Sequence, residues 1–288
     1  MFRYLFNYVK KKIPKISETE LIALRSGDTS IERDLLNGKI IFPIKKKINN
    51  KFPEKTLNNL FNLYDNSKIY PNNNNNKWIN YLGKNNFFSF LIDEKYGGYK
   101  LSVNELSSII TQIASFNPAL GIVTMVPNSL GPGELITKYG NDCQKNNFLP
   151  KLANGDLIPC FGLTGPNNGS DATGSIDKGV VVKEKDDIYI KVKLNKRYIT
   201  LAPVANIFGV AFDLQDPENI LGKSGITLAL VERNHKGLIQ NTHHNPLNSD
   251  FPNGTIKGEI YIKVEDVIGG EPNIGEGWKM LMECLSAR

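Results

Sequence analysis

Apolar residues recur at two different spacings along this chain, and the change of spacing indicates two domains. From Lys77 to Asp156 they recur every three or four residues, which is typical of amphipathic helices. From Asp171 to about Asp266 they gather in short runs rich in β-branched residues, which favours strands. We therefore expect an α+β multidomain fold, in which an N-terminal helical bundle domain precedes an antiparallel β-sandwich or barrel domain.

Two serine–glutamate pairs predict where helices begin. Ser17 with Glu20, and Ser102 with Glu105, have the spacing of a capping box, in which each residue satisfies a backbone N–H of the other. Further helices are expected over three runs: Ala119–Val126, Glu134–Tyr139 and Cys143–Leu152.

Five short strands are predicted in the second half of the chain. They are Gly179–Val182, Ile188–Leu194, Ile207–Leu214, Ile226–Val231 and Glu259–Val264. Turn residues separate them, and we interpret Asp186-Asp187, Asp216-Pro217 and Asn253-Gly254 as turns. The strands do not alternate with helices and the sequence has no G-x-G-x-x-G motif, which argues against a Rossmann fold.

The sequence then divides into four expected segments. Residues 1–76 form an N-terminal extension that ends in an exposed linker, the asparagine run after Pro71; residues 77–157 form the helical domain and 158–270 the β-domain. Residues 271–288 form only the first helix of a C-terminal helical domain. One side of that helix is apolar, and we expect it to be exposed unless a following segment covers it: Met280, Leu281, Cys284 and Leu285.

Charge and cysteine content narrow the classes of partner. The net charge is +6, but the basic runs Lys10–Lys12 and Lys45–Lys47 have no interleaved aromatic residues, so we expect solvated surface and no nucleic acid. The three cysteines are far apart, without a Cys-x-x-Cys pair. This argues against disulfides and zinc and is typical of a reducing, cytoplasmic compartment.

The N-terminal residues leave three interpretations open. Phe2, Leu5, Phe6 and Val9 share one helical face, with Lys10–Lys12 just beyond it. The segment is an interfacial helix on an anionic membrane, a terminal helix packed on its own protein, or a frayed end. The first interpretation places the protein at the inner face of the plasma membrane.

A glycine-rich segment, Ile158–Asp171, lies where the spacing changes. It is predicted to be a loop in which Thr164 and Ser170 offer hydroxyls, while Gly165 and Gly169 allow a ligand close to the backbone. The alternative is an interdomain turn without a ligand.

A second candidate segment is Asn195–Thr200. Tyr198 can stack on a flat ring, and the hydroxyl of Thr200 can hydrogen-bond the heteroatoms of that ring. Both residues are also ordinary in strands, so a purely structural role is the alternative.

The order of these motifs resembles the acyl-CoA dehydrogenases, and in particular the large bacterial fatty-acyl-CoA dehydrogenases. The likeness runs from about Phe87 to the last residue and is fainter through Ser17–Lys39. Four stretches carry it beside the loop: Val126–Leu135, Tyr139-Gly140, Asn195–Pro203 and Gly277–Ser286.

The resemblance implies a flavoenzyme that converts acyl-CoA to trans-2-enoyl-CoA, the first step of fatty-acid β-oxidation. It implies FAD as cofactor, an electron-transfer flavoprotein as electron acceptor, and a homo-oligomer. Phe161, Leu163 and Thr164 would line the flavin, and Ser170 would meet the cofactor phosphate or the acyl-CoA. Tyr198 stands where the family usually has tryptophan, and Thr200 would hydrogen-bond near the reactive flavin nitrogen.

Departures from the family pattern raise a second hypothesis. Gly165 replaces a larger residue, and Asn167-Asn168 makes the loop bulkier. The sequence has no match to the family's C-terminal bundle, which carries the catalytic glutamate, and we interpret Glu283 as a packing residue rather than a base. The alternative is therefore a truncated and catalytically inactive relative.

Overall fold

The computed structural model of the protein describes residues 2–13, 16–26, 32–39, 50–63, 77–129, 131–174, 176–240 and 243–285. The predicted linker at 71–76 and the run Lys45–Lys47 lie outside these residues. The described helices are α1 (Phe2–Lys12), α2 (Glu18–Ser26), α3 (Glu32–Leu36), α4 (Glu54–Asn62), α5 (Lys77–Lys84), α6 (Val103–Phe116), α7 (Pro118–Met125), α8 (Pro132–Tyr139), α9 (Asp142–Ala153) and α10 (Gly277–Leu285).

Both predicted capping boxes are confirmed. Glu20 Oε2 accepts the Ser17 backbone N–H at 2.6 Å, and Ser17 Oγ accepts the Glu20 N–H at 3.2 Å. At the start of α6, Ser102 Oγ accepts the Glu105 N–H at 3.4 Å, while the Glu105 carboxylate accepts the Ser102 N–H at 2.9 Å. Each helix therefore begins where a local hydrogen-bond pair satisfies its first free donors.

Aromatic side chains form the centre of the helical core. The ring of Phe52 packs edge-on against Phe87, Phe90 and Tyr99 at centroid distances of 4.8, 5.0 and 5.1 Å. Leu57 and Leu60 of α4 are buried in the same cluster. The helical core thus draws on residues that precede position 77, where we place the start of the domain.

Seven described strands form one sheet: β1 (Pro159–Gly162), β2 (Lys178–Glu184), β3 (Asp187–Thr200), β4 (Ile207–Gln215), β5 (Gly225–Glu232), β6 (Leu238–Ile239) and β7 (Asn253–Lys263). The two strands β1 and β2 run parallel to β4 along one of its edges, and β5 pairs antiparallel along the other. The α+β fold class is confirmed, and the sheet is mixed rather than wholly antiparallel, because β1 and β2 both run parallel to β4.

Two local predictions were wrong. The segment Ile158–Asp171 is not a loop throughout, since its residues Pro159–Gly162 form β1, whose four residues are all buried. Asn253-Gly254 is not a turn but the start of β7, where Asn253 pairs with Thr200 and Gly254 with Ile199. In both cases, pairing with a distant strand overrides the local turn preference of glycine, proline and asparagine.

The expectation of an exposed final helix was also wrong. Met280, Leu281 and Cys284 are buried within the protein, because α10 packs against α2, α8 and β5. The indole Nε1–H of Trp278 donates to the backbone carbonyl oxygen of Thr19 in α2 at 2.9 Å. Helix α2 therefore covers the apolar face for which we expected a later segment.

Two further results concern cysteines and membranes. Cys143, Cys160 and Cys284 form no disulfide bond, in agreement with the prediction from their spacing. None of the helices in the described part of the protein has the length and apolar character needed to cross a bilayer.

Candidate functional site

The two candidate segments lie side by side. The backbone carbonyl oxygen of Thr164 accepts the Arg197 backbone N–H at 3.0 Å, and the carbonyl oxygen of Leu163 accepts the Lys196 ammonium at 3.1 Å. The loop that follows β1 is thereby fixed against the end of β3. We call Leu163–Gly165, Lys196–Thr200 and Asn253 together the loop–strand cradle.

Asn168 braces the loop from within. Its Nδ2 donates to the backbone carbonyl oxygens of Leu163 and Ala172 at 3.1 and 3.2 Å, and the side chain is almost fully buried. A Cβ atom at Gly165 would lie 2.6 Å from Asn168 Oδ1. Glycine at 165 and asparagine at 168 therefore fit one another, and the bulk of Asn168 lies inside the loop rather than across its surface.

One cradle residue, Lys196, forms a buried ion pair with Asp177. The Lys196 side chain is 0% exposed, and its ammonium lies 3.1 Å from Asp177 Oδ2. Burial lowers the pKa of Lys196, and the Asp177 carboxylate opposes that change. Asp177 also accepts the Asn195 backbone N–H at 2.9 Å. Because Asp177 directly precedes β2, it links both the Lys196 ammonium and strand β3 to the start of β2.

A β-bulge turns Arg197 and Tyr198 outward together. The pairing of β3 with β7 shifts register between Lys196 and Ile199, and Tyr198 adopts a φ of +59°. The side chains of Lys196 and Ile199 point into the core, while the two residues between them are exposed. The register shift therefore presents a cation and an aromatic ring at one strand end.

Three rings or planar groups gather at Tyr198. The Arg197 guanidinium lies 4.7 Å from the centroid of the Tyr198 ring, and the His244 ring lies 4.6 Å from it on a tilted plane. Burial lowers the pKa of His244, as do the neighbouring cations, of which Arg197 acts most strongly. The His244 ring is therefore biased towards its neutral form, which avoids a second positive charge beside Arg197.

Asn253 joins this strand end to β7. Its Nδ2 lies 3.3 Å from the Tyr198 carbonyl oxygen and 3.4 Å from Thr200 Oγ1. Asn253 Oδ1 and Thr255 Oγ1 are buried and find no hydrogen-bond partner among the described residues. Buried polar atoms without a hydrogen-bond partner are rare in folded proteins, and a ligand or an ordered water commonly supplies the partner.

Ser170 and Phe161 stand apart from the cradle. Ser170 is exposed and lines a cleft of about 720 Å³ between its own loop and helix α2, together with Glu20, Ala23 and Trp278. The Phe161 side chain is buried in the core, and a Cβ atom at Gly209 would lie 2.4 Å from its ring. A ligand in the cradle can therefore reach Phe161 only through its backbone.

Glu283 is held by an aromatic hydroxyl. The Tyr139 O–H donates to Glu283 Oε2, which joins α8 to α10. Burial and the Glu283 carboxylate raise the pKa of Tyr139. This contact supports our interpretation of Glu283 as a packing residue.

Comparison with known proteins identifies the relatives of this protein. Residues 47–156 match the family model for the acyl-CoA dehydrogenase N-terminal domain. An acyl-CoA dehydrogenase of Bacillus subtilis is 32% identical over 210 residues, which cover 72% of this chain and 52% of that protein. A mitochondrial very long-chain specific acyl-CoA dehydrogenase of Bos taurus is 27% identical over 206 residues, covering 69% of this chain and 30% of that protein.

Residues 47–156 carry the acyl-CoA dehydrogenase N-terminal domain, and the chain is similar to an acyl-CoA dehydrogenase over 72% of its length. Its fold agrees, since the crystal structure of a Bacillus anthracis acyl-CoA dehydrogenase complexed with FAD superposes with a TM-score of 0.60 at 19% identity, covering 91% of this chain and 38% of that one. The chain spans about half the length of its Bacillus subtilis relative.

Sequence reasoning missed four residues in or beside the cradle: Asn168, Lys196, His244 and Asn253. For Lys196 a signal was present, because it occupies an inward position in a strand whose other inward residues are apolar. For His244 there was none, since it reaches Tyr198 from a separate segment. Among the described residues there is also no cluster of histidine, cysteine and carboxylate side chains that would hold a metal ion.

Proposed function

We propose that this protein forms the flavin- and acyl-CoA-binding portion of an FAD-dependent acyl-CoA dehydrogenase, the enzyme class that begins fatty-acid β-oxidation. One observation carries the proposal. The hydrogen bond from Arg197 to Thr164 joins two segments that are separate in sequence and that each resemble a flavin-contacting motif of the family. The match to the acyl-CoA dehydrogenase N-terminal domain and the FAD named with the Bacillus anthracis structure support the choice of ligand.

The groups in and beside the cradle suit a flavin. The isoalloxazine ring is flat and polar at its edge, and the cradle offers an exposed aromatic ring at Tyr198 with hydroxyls at Thr164 and Thr200. Asn253 Oδ1 and Thr255 Oγ1 are buried without a partner among the described residues, and an ordered water can satisfy them. No described side chain blocks Gly169, where an added Cβ would meet nothing within 4 Å.

Each residue has a distinct part in this proposal. Leu163 and the Phe161 backbone form the wall of the site, and the Thr164 and Thr200 hydroxyls orient the ring edge. Neutral donors of this kind also stabilise the negative charge that a flavin gains on reduction. Ser170, at the mouth of the cleft beside α2, meets the phosphate of the cofactor or of the acyl-CoA.

Binding and turnover are separate proposals. When bound, FAD supplies a hydride acceptor; removal of the substrate α-proton also needs a base within hydrogen-bond reach. Glu283, the carboxylate nearest to that role in sequence, accepts a hydrogen bond from Tyr139. This contact favours the second candidate, a protein that binds flavin and acyl-CoA without turnover. If the protein turns over substrate, we also propose an electron-transfer flavoprotein as its electron acceptor. A homo-oligomeric state is a further proposal, and it concerns the whole protein.

A visible spectrum tests both proposals. The purified protein is mixed with FAD, unbound flavin is removed by gel filtration, and the absorbance of the protein fraction is recorded. Acyl-CoA is then added under anaerobic conditions, and the flavin absorbance is recorded again. Retained flavin that bleaches supports the dehydrogenase, and retained flavin that does not bleach supports binding without turnover. A colourless protein fraction at saturating FAD would overturn both.

A further inference from the structure

Helix α1 exposes an apolar face that no other described residue covers. Phe2, Leu5, Phe6 and Val9 recur at three- and four-residue intervals and therefore share one side of the helix. Phe2 is 84% exposed and Phe6 is 65% exposed, and no residue of α1 is buried. Within the described part of the protein, no hydrogen bond or ion pair joins α1 to another helix or strand.

The charges of α1 are all of one sign. Arg3, Lys10, Lys11 and Lys12 carry four positive charges, and the helix contains no acidic residue. Lys10 and Lys12 lie on either side of the apolar face, since each is displaced from it by about a quarter turn at 3.6 residues per turn. A cation in that position can extend its charged end outward while its methylene groups lie on apolar surface.

We propose that α1 docks on an anionic lipid bilayer, with the face Phe2–Leu5–Phe6–Val9 in the acyl boundary and the basic residues among the lipid phosphates. Charge complementarity selects this occupant. A second copy of the protein would bring a second set of four positive charges against the first, whereas an anionic leaflet neutralises them. The helix is too short to span a bilayer, so it lies in the interface.

The docking is independent of the flavin proposal. It needs neither the cradle nor turnover, and it requires only the apolar face and the charges of α1. The helix would hold the protein at the membrane surface whether or not the cradle binds a ligand.

Vesicle co-sedimentation of the whole 288-residue chain provides the test. Vesicles of phosphatidylcholine alone are compared with vesicles that also contain phosphatidylglycerol, at low and at high salt. We expect binding to the anionic vesicles, with salt weakening it because the Debye length shortens. Neutralising Lys10 or Lys12 by substitution with glutamine weakens binding roughly fivefold for each charge.

Two matched substitutions separate the apolar face from the overall charge. Phe6→Glu places a carboxylate in the apolar face, and Tyr4→Glu places one on the opposite side of the same helix, at a residue that is also exposed. Phe6→Glu is expected to weaken binding at least about tenfold, and clearly more than Tyr4→Glu. Both leave thermal unfolding unchanged, because neither side chain is buried.

Three outcomes would overturn the proposal. Equal weakening by the two substitutions would show that charge alone attracts the protein to the vesicles. Equal binding to neutral and anionic vesicles would remove the role of the basic residues. A dimer in vesicle-free solution that Phe6→Glu dissociates, without vesicle binding by the wild type, would assign the face to a second copy.

Discussion

The backbone N–H of Arg197 lies 3.0 Å from the backbone carbonyl oxygen of Thr164 and donates a hydrogen bond to it. Because both partners are backbone groups, substitution of either side chain leaves this link in place. The hydroxyls of the cradle can therefore be removed one at a time while the loop stays fixed to the strand.

Thr200→Val removes a hydroxyl from the cradle at nearly constant volume. If that hydroxyl contacts bound flavin, FAD affinity should fall about fivefold, the usual effect of one neutral hydrogen bond. Quenching of flavin fluorescence during titration measures the affinity. Thr111→Val, at an exposed position of helix α6, is the control and should leave the affinity unchanged. Equal affinity in all three proteins would remove Thr200 from the site.

Asp177→Asn should destabilise the fold strongly. Asparagine can still accept the Asn195 N–H, but it leaves the buried Lys196 ammonium without a negative partner. Breaking a buried pair in this way costs about 3–5 kcal/mol of unfolding free energy. Urea unfolding measures the loss.

The double variant Asp177→Asn/Lys196→Met tests the cause of that loss. Methionine fills similar space without a charge, so we expect the double variant to be more stable than Asp177→Asn alone. If the two substitutions add without any recovery, the unpaired ammonium is not the reason for the instability.

His244 predicts a pH dependence with a definite sign. Its pKa in the folded protein lies below the ordinary value of 6.5, mainly because the ring is desolvated. Between those two pKa values the unfolded protein binds more protons than the folded protein, so stability rises with pH through that window and levels off above 6.5. Lowering the pH from 6.5 to the pKa of His244 in the folded protein therefore removes the stability gained at higher pH.

Urea midpoints measured between about pH 8 and about pH 5 test this dependence. His244→Gln should flatten the acidic limb of the curve relative to the wild type. His243→Gln serves as a comparison, because the pKa of His243 is also lowered by burial but its ring does not stack on Tyr198. Parallel curves for the wild type and His244→Gln would show that His244 contributes nothing to the pH dependence of stability.

Leu281→Ala tests the burial of the last helix. Leu281 is fully buried between α10 and its neighbours, so its truncation should cost about 2–5 kcal/mol of unfolding free energy. Leu285→Ala removes the same atoms from a half-buried position of the same helix and should cost clearly less. Similar losses at the two positions would mean that α10 does not pack through the face that carries Leu281.

Local patterns in the sequence predicted local structure well. The capping pairs Ser17–Glu20 and Ser102–Glu105 involve residues three apart, so they form without a distant partner. The five strands found by their branched residues are likewise present, because a run buried on one or both faces keeps its pattern wherever its partners lie.

Long-range pairing could not be predicted. Pro159–Gly162 and Asn253-Gly254 have turn-forming sequences and become strands only because β4 and β3 pair with them. Burial of Lys196 depends on Asp177, which a pattern of apolar spacing cannot supply. The cradle was therefore predicted as two separate halves, and the bracing residues Asn168 and Asn253 emerge only from the folded structure.

Because of the bulge in β3, the number of residues between Lys196 and Thr200, rather than their identity, decides which side chains point into the core. Residues 190, 192, 194 and 196 point inward, whereas beyond the bulge it is residue 199 that does so. Deletion or insertion of a single residue here would turn the side chains of Tyr198 and Thr200 to the opposite face of the sheet, while the strand before the bulge would stay unchanged. Divergence among relatives should accordingly proceed by substitution at Arg197 and Tyr198, with deletions and insertions excluded from this short stretch.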